Sequence, residues 1–270
     1  MNTTSDPVIV SQNSAVRTLT LNRPHRRNAL DATLVDALDR ALTAAEHDPQ
    51  TRCIVLAGSG RSFCAGADLQ HFMNLHKEIG SPIEFLRQVS ALITRFETSP
   101  LPVVAAIHGH AVAGGMELAL ACDVVVATDT AFIGDGHIRN NLLPAAGSSV
   151  RLPRKVGEAL ARWLALTGTL VPAQRLADAG WIHAVVAEAD LLDTAAEVSN
   201  ELAANSGPAQ SAFKSLLFEL NDLNAHDGLA KELHKFDTHW NANDVPRALT
   251  AFLDGKASTT GGVTATNGIP

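Results

Sequence analysis

The chain has 270 residues, near the upper limit for a single hydrophobic core, which favours one main domain with a small appendage. Its 28 acidic and 21 basic residues give a formal charge of −7, and no Lys/Arg run has the density of a nucleic-acid or anionic-membrane footprint, so neither is expected as a partner. No basic segment leads into an apolar one near the start, no apolar run approaches the roughly 20 residues of a bilayer span, and Cys53, Cys64 and Cys122 lack ligand spacing, so the expectation is a cytoplasmic protein with buried reduced thiols and no metal.

In chain order, residues 8–10 and 16–21 carry β-branched residues around Asn13-Ser14 and read as a hairpin. Asp31 is a good N-cap for a helix whose apolar positions Leu34, Leu38 and Leu42 recur every four residues, and His47-Asp48-Pro49 ends it. Three compact apolar runs, 53–57, 103–107 and 124–127, are bounded by Gly, Pro or Asp and are too short for independent helices, so they read as buried parallel strands. Helical patterns at 82–97, 114–121, 156–167 and 172–179 alternate with or follow them, which is the α/β pattern. After about residue 190 the strand signal stops and helices are predicted at 190–204, 208–222, 228–240 and 244–254. The expected division is a core over 1–200, a helical C-terminal module over 201–257 and a disordered Gly/Thr/Ser/Ala tail over 258–270.

Two Gly-rich turns could carry chemistry. The first, Gly58 to Leu69 (GSGRSFCAGADL), follows a strand and precedes a polar helix; small residues at 64–67 let a ligand approach the backbone, while Asp68 could equally be a plain helix N-cap. The second runs strand, turn, helix from Ala105 to Leu118, and the amides at Gly114 and Gly115 stand where a helix start favours negative charge. Glu117 is the only acidic residue between Glu97 and Asp123; it either complements the helix dipole or is a costly carboxylate held in a dry pocket for a purpose.

Together these segments resemble the crotonase (enoyl-CoA hydratase/isomerase) superfamily, whose signature pairs a FCAGADL-type loop with a GGxEL-type helix start. NRPHRRNAL at 22–30, the segment 99–123 and TGTLVPAQRLADAGWIHAVV at 167–186 are similar to family segments in family order. The resemblance implies a crotonase-like spiral of strand-turn-helix units with a helical C-terminal oligomerisation module. It further implies an enzyme that holds a thioester enolate in an oxyanion hole made by the amides of Ala67 and Gly114. By the same resemblance, the backbone from Ala65 through Asp68 to Leu69 would receive the adenine end of coenzyme A and Arg26 or Arg27 its phosphates. Phe236 and Lys256 would reach coenzyme A on a neighbouring subunit of a homotrimer or dimer of trimers. Coenzyme A enters as part of the substrate, and no permanent cofactor is implied.

Family hydratases flank the double bond with two glutamates. Glu117 fills the first position, but the ungapped run Gly134-Asp135-Gly136-His137 puts His137 where the second is expected. An imidazole can exchange protons near neutral pH, but it cannot act as a carboxylate. Hydration or isomerisation by Glu117 and His137 is the leading expectation. Thioester hydrolysis or carbon–carbon cleavage with His137 as base stays open, as does a non-catalytic coenzyme A binder. Asp135 could orient the imidazole or cap a turn. His71 and His76 could line an acyl pocket, His108 and His110 read as packing residues, and Ser148-Ser149 reads as helix capping.

Overall fold

A computed structural model describes residues 6–254; Lys256 and the predicted tail lie outside them. Strands β1 (Val8–Asn13) and β2 (Val16–Leu21) pair antiparallel, with Val8 opposite Leu21, and Val16, Leu19 and Leu21 turn inward. Helix α1 (Ala32–His47) starts where the Asp31 side chain accepts from Leu34 N–H, and it buries Leu34, Leu38 and Leu42. Strand β3 (Cys53–Gly58) leads through the first Gly-rich turn into α2 (Leu69–Ile79) and α3 (Ile83–Thr98). Then come β4 (Val103–Ile107), β5 (His110–Val112), α4 (Gly114–Leu120), β6 (Val124–Thr128) and β7 (Phe132–Gly134). Helices α5 (Ser148–Val156) and α6 (Glu158–Thr167) precede β8 (Val171–Pro172), α7 (Ala173–Ala177) and β9 (Ala184–Val186). The chain closes with α8 (Leu191–Ala204), α9 (Gly207–Glu219), α10 (Ala225–Ala242) and α11 (Val245–Leu253).

The main sheet has the order β1-β2-β3-β4-β6-β9 and is parallel from β2 onward; a small sheet, β5-β7-β8, lies beside it. Burial on both faces explains why β3, β4 and β6 are continuous apolar runs rather than alternating ones. Ile54, Leu56, Ala105 and Ile107 face a large core with α1, α3 and α4, whereas Val55, Ala57, Val104 and Ala106 face Leu191 and Ala195 of α8. The three cysteines are free and buried, and burial pushes each thiol up to about 12.

The predicted hairpin, buried strands and C-terminal helices are present, with two kinds of departure. Strands β5, β7, β8 and β9 span two or three residues, too few for a periodicity to register, and α5 carries Pro153 between Gly147 and Gly157. Helix α10 begins three residues before the expected 228 because the Asn224 side chain accepts from Asp227 N–H. Among the described residues no helix is long and apolar enough to cross a membrane, and no cluster of His, Cys, Asp or Glu is placed to hold a metal ion.

Candidate active site

The first Gly-rich turn is held by two isolated parallel bridges, Leu30 to Ala67 and Cys64 to Ala111. Leu30 N–H donates to Gly66 O and Asp68 N–H to Leu30 O, both at 2.8 Å, which leaves the Ala67 N–H facing away from that ladder. Gly66 has φ +94°, and a Cβ there would lie 2.9 Å from Val112 O and 3.3 Å from Gly114 N, so only glycine lets the two turns meet.

The second turn is strained at Ala113, whose φ of 52° and ψ of −119° are rarely adopted by a residue with a side chain. Its N–H donates to Gly134 O at 3.1 Å, tying the turn to β7. Gly115 packs on the first turn so closely that a Cβ would sit 2.2 Å from Cys64 O, and the missing Cβ of Gly114 would lie 3.6 Å from Ala67 N. Ala67 and Gly114 are therefore neighbours on one cavity wall, and among the described residues neither N–H donates a hydrogen bond.

That cavity, about 430 Å³, also exposes Glu117 and His137. Glu117 is only 2% exposed, and its Oε1 accepts from Ala146 N–H (2.9 Å) and Ser148 N–H (3.0 Å). Burial raises its pKa above the usual carboxylate value, against the pull of those two donors and of His137. Its Oε2 stands 3.9 Å from His137 Nε2, beyond a direct hydrogen bond but close enough for one bound group to touch both.

His137 opens the 3-10 turn His137–Asn140 behind Gly136, whose φ of +65° turns the chain sharply. The imidazole is wedged between carboxylates: Nδ1–H donates to Asp135 Oδ1 at 3.0 Å, and Glu117 lies on the Nε2 side. Desolvation alone would lower its pKa, but the Asp135 bond and the two negative charges outweigh it, and the pKa is raised above 6.5. Desolvation would also raise Asp135, yet the bonds from His137 and Ser148 hold it below the ordinary range. Asp135 thus does both things considered for it, since Oδ1 also accepts from His137 N–H at 3.3 Å.

The other candidates are distributed unevenly. Ala65, Asp68 and Leu69 line the cavity. Asp68 caps α2 by accepting from Gln70 and His71 N–H and pairs with Arg23 at 3.1 Å, so the plain-cap reading is realised alongside the cavity position. Arg26 lines the cavity; Arg27 lies on the exposed turn, with its carbonyl accepting from Ala65 N–H. Phe236 is 63% exposed on α10, away from the cavity walls. His71 packs edge-on to Phe85, with ring centres 4.8 Å apart, and His76 Nδ1 meets Gly80 O at the end of α2, so neither ring lines the cavity. His108 meets Gly60 O and His110 stacks on Phe132, as packing residues do.

Three residues play parts that sequence reasoning missed. Ser148 was expected to cap a helix, but Gly147 is the N-cap and makes no side-chain capping bond; the Ser148 hydroxyl instead donates to Asp135 Oδ2. Arg151 donates to Ala146 O at 2.8 Å and pairs with Glu97, bracing the segment that grips Glu117. Arg23 bridges Asp31 and Asp68 and fixes the first turn to α1. All three depend on partners distant in sequence or on loop closure, so no local signal marks them. A larger groove of about 540 Å³ beside α9 is lined by Lys214 and Arg151, but these are paired with Asp123 and Glu97, and neither Glu117 nor His137 reaches it.

Against known proteins, residues 11–259 match the family described as enoyl-CoA hydratase/isomerase. The chain is 34% identical over 248 residues to a putative enoyl-CoA hydratase/isomerase, YngF, of Bacillus subtilis, covering 90% of this chain and 93% of that one. It is 35% identical over 246 residues to the 2,3-dehydroadipyl-CoA hydratase of Escherichia coli, covering 91% and 95%. The crystal structure of an enoyl-CoA hydratase from Bacillus anthracis superposes with a TM-score of 0.87 at 30% identity, covering 94% of this chain and 98% of that one.

Proposed function

The chain belongs to the enoyl-CoA hydratase/isomerase family, and on that premise we propose that it adds water to an enoyl-CoA with Glu117 as base and His137 as acid. An acyl-CoA enzyme of hydratase/isomerase type with the crotonase fold is the frame; the residue roles are the proposal. The observation that carries them is the 3.9 Å approach of Glu117 Oε2 to His137 Nε2, beside two amides that among the described residues have no partner, in one cavity.

In this reading the thioester oxygen accepts from the Ala67 and Gly114 N–H groups. Such a donor is worth about 2.7–4 kcal/mol where negative charge grows. The Glu117 carboxylate takes a proton from water, whose oxygen bonds to Cβ while the π electrons move through Cα into the thioester enolate. The His137 imidazolium then delivers its Nε2 proton to Cα, and the proton held by Glu117 passes to the imidazole, restoring both groups. An imidazolium beside a carboxylate starts with the one proton this cycle needs, as a protonated and an ionised glutamate would. Thioester hydrolysis or carbon–carbon cleavage with His137 as base requires a neutral ring, which the carboxylates on both sides oppose.

Further assignments belong to the same proposal. Arg26 or Arg27 meets the coenzyme phosphates and the Ala65–Leu69 backbone its adenine end; no permanent cofactor takes part. The working location is the cytoplasm. Helices α9 to α11 bury few side chains and expose Phe213, Leu233, Phe236 and Phe252, which supports a C-terminal module that closes a homotrimer or a dimer of trimers. The test is hydration of a short trans-2-enoyl-CoA by wild type, Glu117→Gln and His137→Ala, with intact folding checked by circular dichroism. Each substitution should lower kcat about 10²- to 10⁴-fold. Unchanged turnover in either variant removes that residue from the mechanism.

A further inference from the structure

Ser148 bonds to Glu117 and to Asp135, the carboxylate that holds His137. Its N–H donates to Glu117 Oε1 at 3.0 Å, and its hydroxyl donates to Asp135 Oδ2. Asp135 uses its other oxygen on His137, taking the Nδ1–H at 3.0 Å and the main-chain N–H at 3.3 Å. The chain of hydrogen bonds Glu117, Ser148, Asp135, His137 spans α4, the start of α5 and the loop after β7. Asp135 and Ser148 are each 2% exposed, and neither lines the cavity that holds Glu117 and His137; both face a separate cavity behind it. They are thus placed to act on the ring and the carboxylate without touching what those groups act on.

We propose that Asp135 and Ser148 are positioning residues that lock His137 with Nδ1–H on Asp135 and Nε2–H directed at Glu117 and the cavity. The proposal rests on the reading of Glu117 and His137 as the acid–base pair. A histidine in place of a carboxylate needs such a lock for two reasons. Its ring nitrogens differ, so a ring turned over would present the wrong atom, and a desolvated ring tends to lose its proton. An ionised Asp135 answers both, and it remains an acceptor rather than a donor because the Ser148 hydroxyl occupies its second oxygen.

The charged groups around the ring make the sign of the effect definite. Glu117 faces it from α4 and Asp135 from the preceding loop, both negative. Arg139 is on the same turn; Glu158 and Arg162 of α6, packed against that turn, pair with each other at 2.8 Å; Arg26 and Asp68 border the same cavity. Among the described residues, removing the Asp135 charge leaves Glu117 as the one carboxylate against the ring, so the imidazolium gives up its proton at lower pH. The acid role then fails earlier as pH rises.

The test is a pH profile of kcat and KM for Asp135→Asn and Ser148→Ala on the enoyl-CoA that wild type hydrates, with ¹⁵N-histidine NMR of His137 in the same proteins. Asp135→Asn should lower kcat about 10- to 100-fold with little change in KM. Its alkaline limb and the His137 titration should both move down by about one pH unit. Ser148→Ala should shift both in the same direction by less, and it decides the matter if Asp135→Asn does not fold. Loss of kcat with the limb and the His137 titration unmoved overturns the proposal, because a merely structural role does that. His137→Ala at wild-type kcat would bring down the acid–base reading itself; a crippled His137→Ala beside a wild-type-like Asp135→Asn brings down only the positioning role.

Discussion

The two walls of the cavity are built on opposite principles. Ala67 and Gly114 contribute backbone amides, and what positions them is the absence of side chains: Gly66 and Gly115 let two turns touch where a Cβ would sit 2.9 Å and 2.2 Å from backbone oxygens. Glu117 and His137 contribute side chains, and what positions them is a ring of other side chains and loop amides, namely Asp135, Ser148 and Ala146. The first wall depends on those glycines. The second depends on the partners that hold a carboxylate and an imidazole side by side.

Substitutions separate the two walls. The largest effect is expected on the side-chain wall, where Glu117→Gln removes the proposed base yet leaves an isosteric group for the Ala146 and Ser148 amides; kcat should collapse while the unfolding temperature holds. Gly66→Ala attacks the other wall. A methyl group at φ +94° against Val112 O should cost about 1–3 kcal/mol of stability and spread the amides, so that stability and kcat fall together. A Gly66→Ala protein with wild-type turnover would remove the distinction between the walls.

Acidity sharpens the same contrast. In the proposed roles, Glu117 serves as base only above its raised pKa and His137 as acid only below its own. Activity should therefore rise with pH through the first and fall through the second, with both limbs displaced upward from about 4.3 and about 6.5 for the free side chains. The amide wall has no proton to lose in this range and adds no limb. The smallest effect is expected far from both walls. Leu233→Glu on exposed α10 should change the stability of the core by no more than about 0.5 kcal/mol while lowering the oligomeric mass seen by light scattering.

What the sequence made legible follows the same division. Buried parallel strands announce themselves as unbroken apolar runs because both faces are covered, and Gly66, Gly114 and Glu117 stand out because glycine and an isolated acid in apolar company need reasons. The three-residue strands β5 and β7 escaped notice, although they carry the second turn and the His137 loop. Helix α5 was signalled only by its expected capping serines, because Pro153 and its flanking glycines interrupt its pattern. The supporting circuit was only half readable. Asp135 sits two residues from His137, so its bond was conceivable from spacing, but Ser148 lies 13 residues from Asp135 and 31 from Glu117 and meets both only when the loop after β7 folds back. Arg151 and Arg23 gave no signal because Glu97, Asp31 and Asp68 reach them only in the folded chain.

The central claim is that two amides polarise the thioester carbonyl beside Glu117, and infrared difference spectroscopy of a bound, slowly reacting enoyl-CoA labelled with ¹³C at that carbonyl tests it most directly. The stretch should move to lower frequency on binding to Glu117→Gln, whose amide wall is intact, and return towards its solution value in the Glu117→Gln/Gly66→Ala double variant. A bound carbonyl with the same frequency as in water would contradict the account.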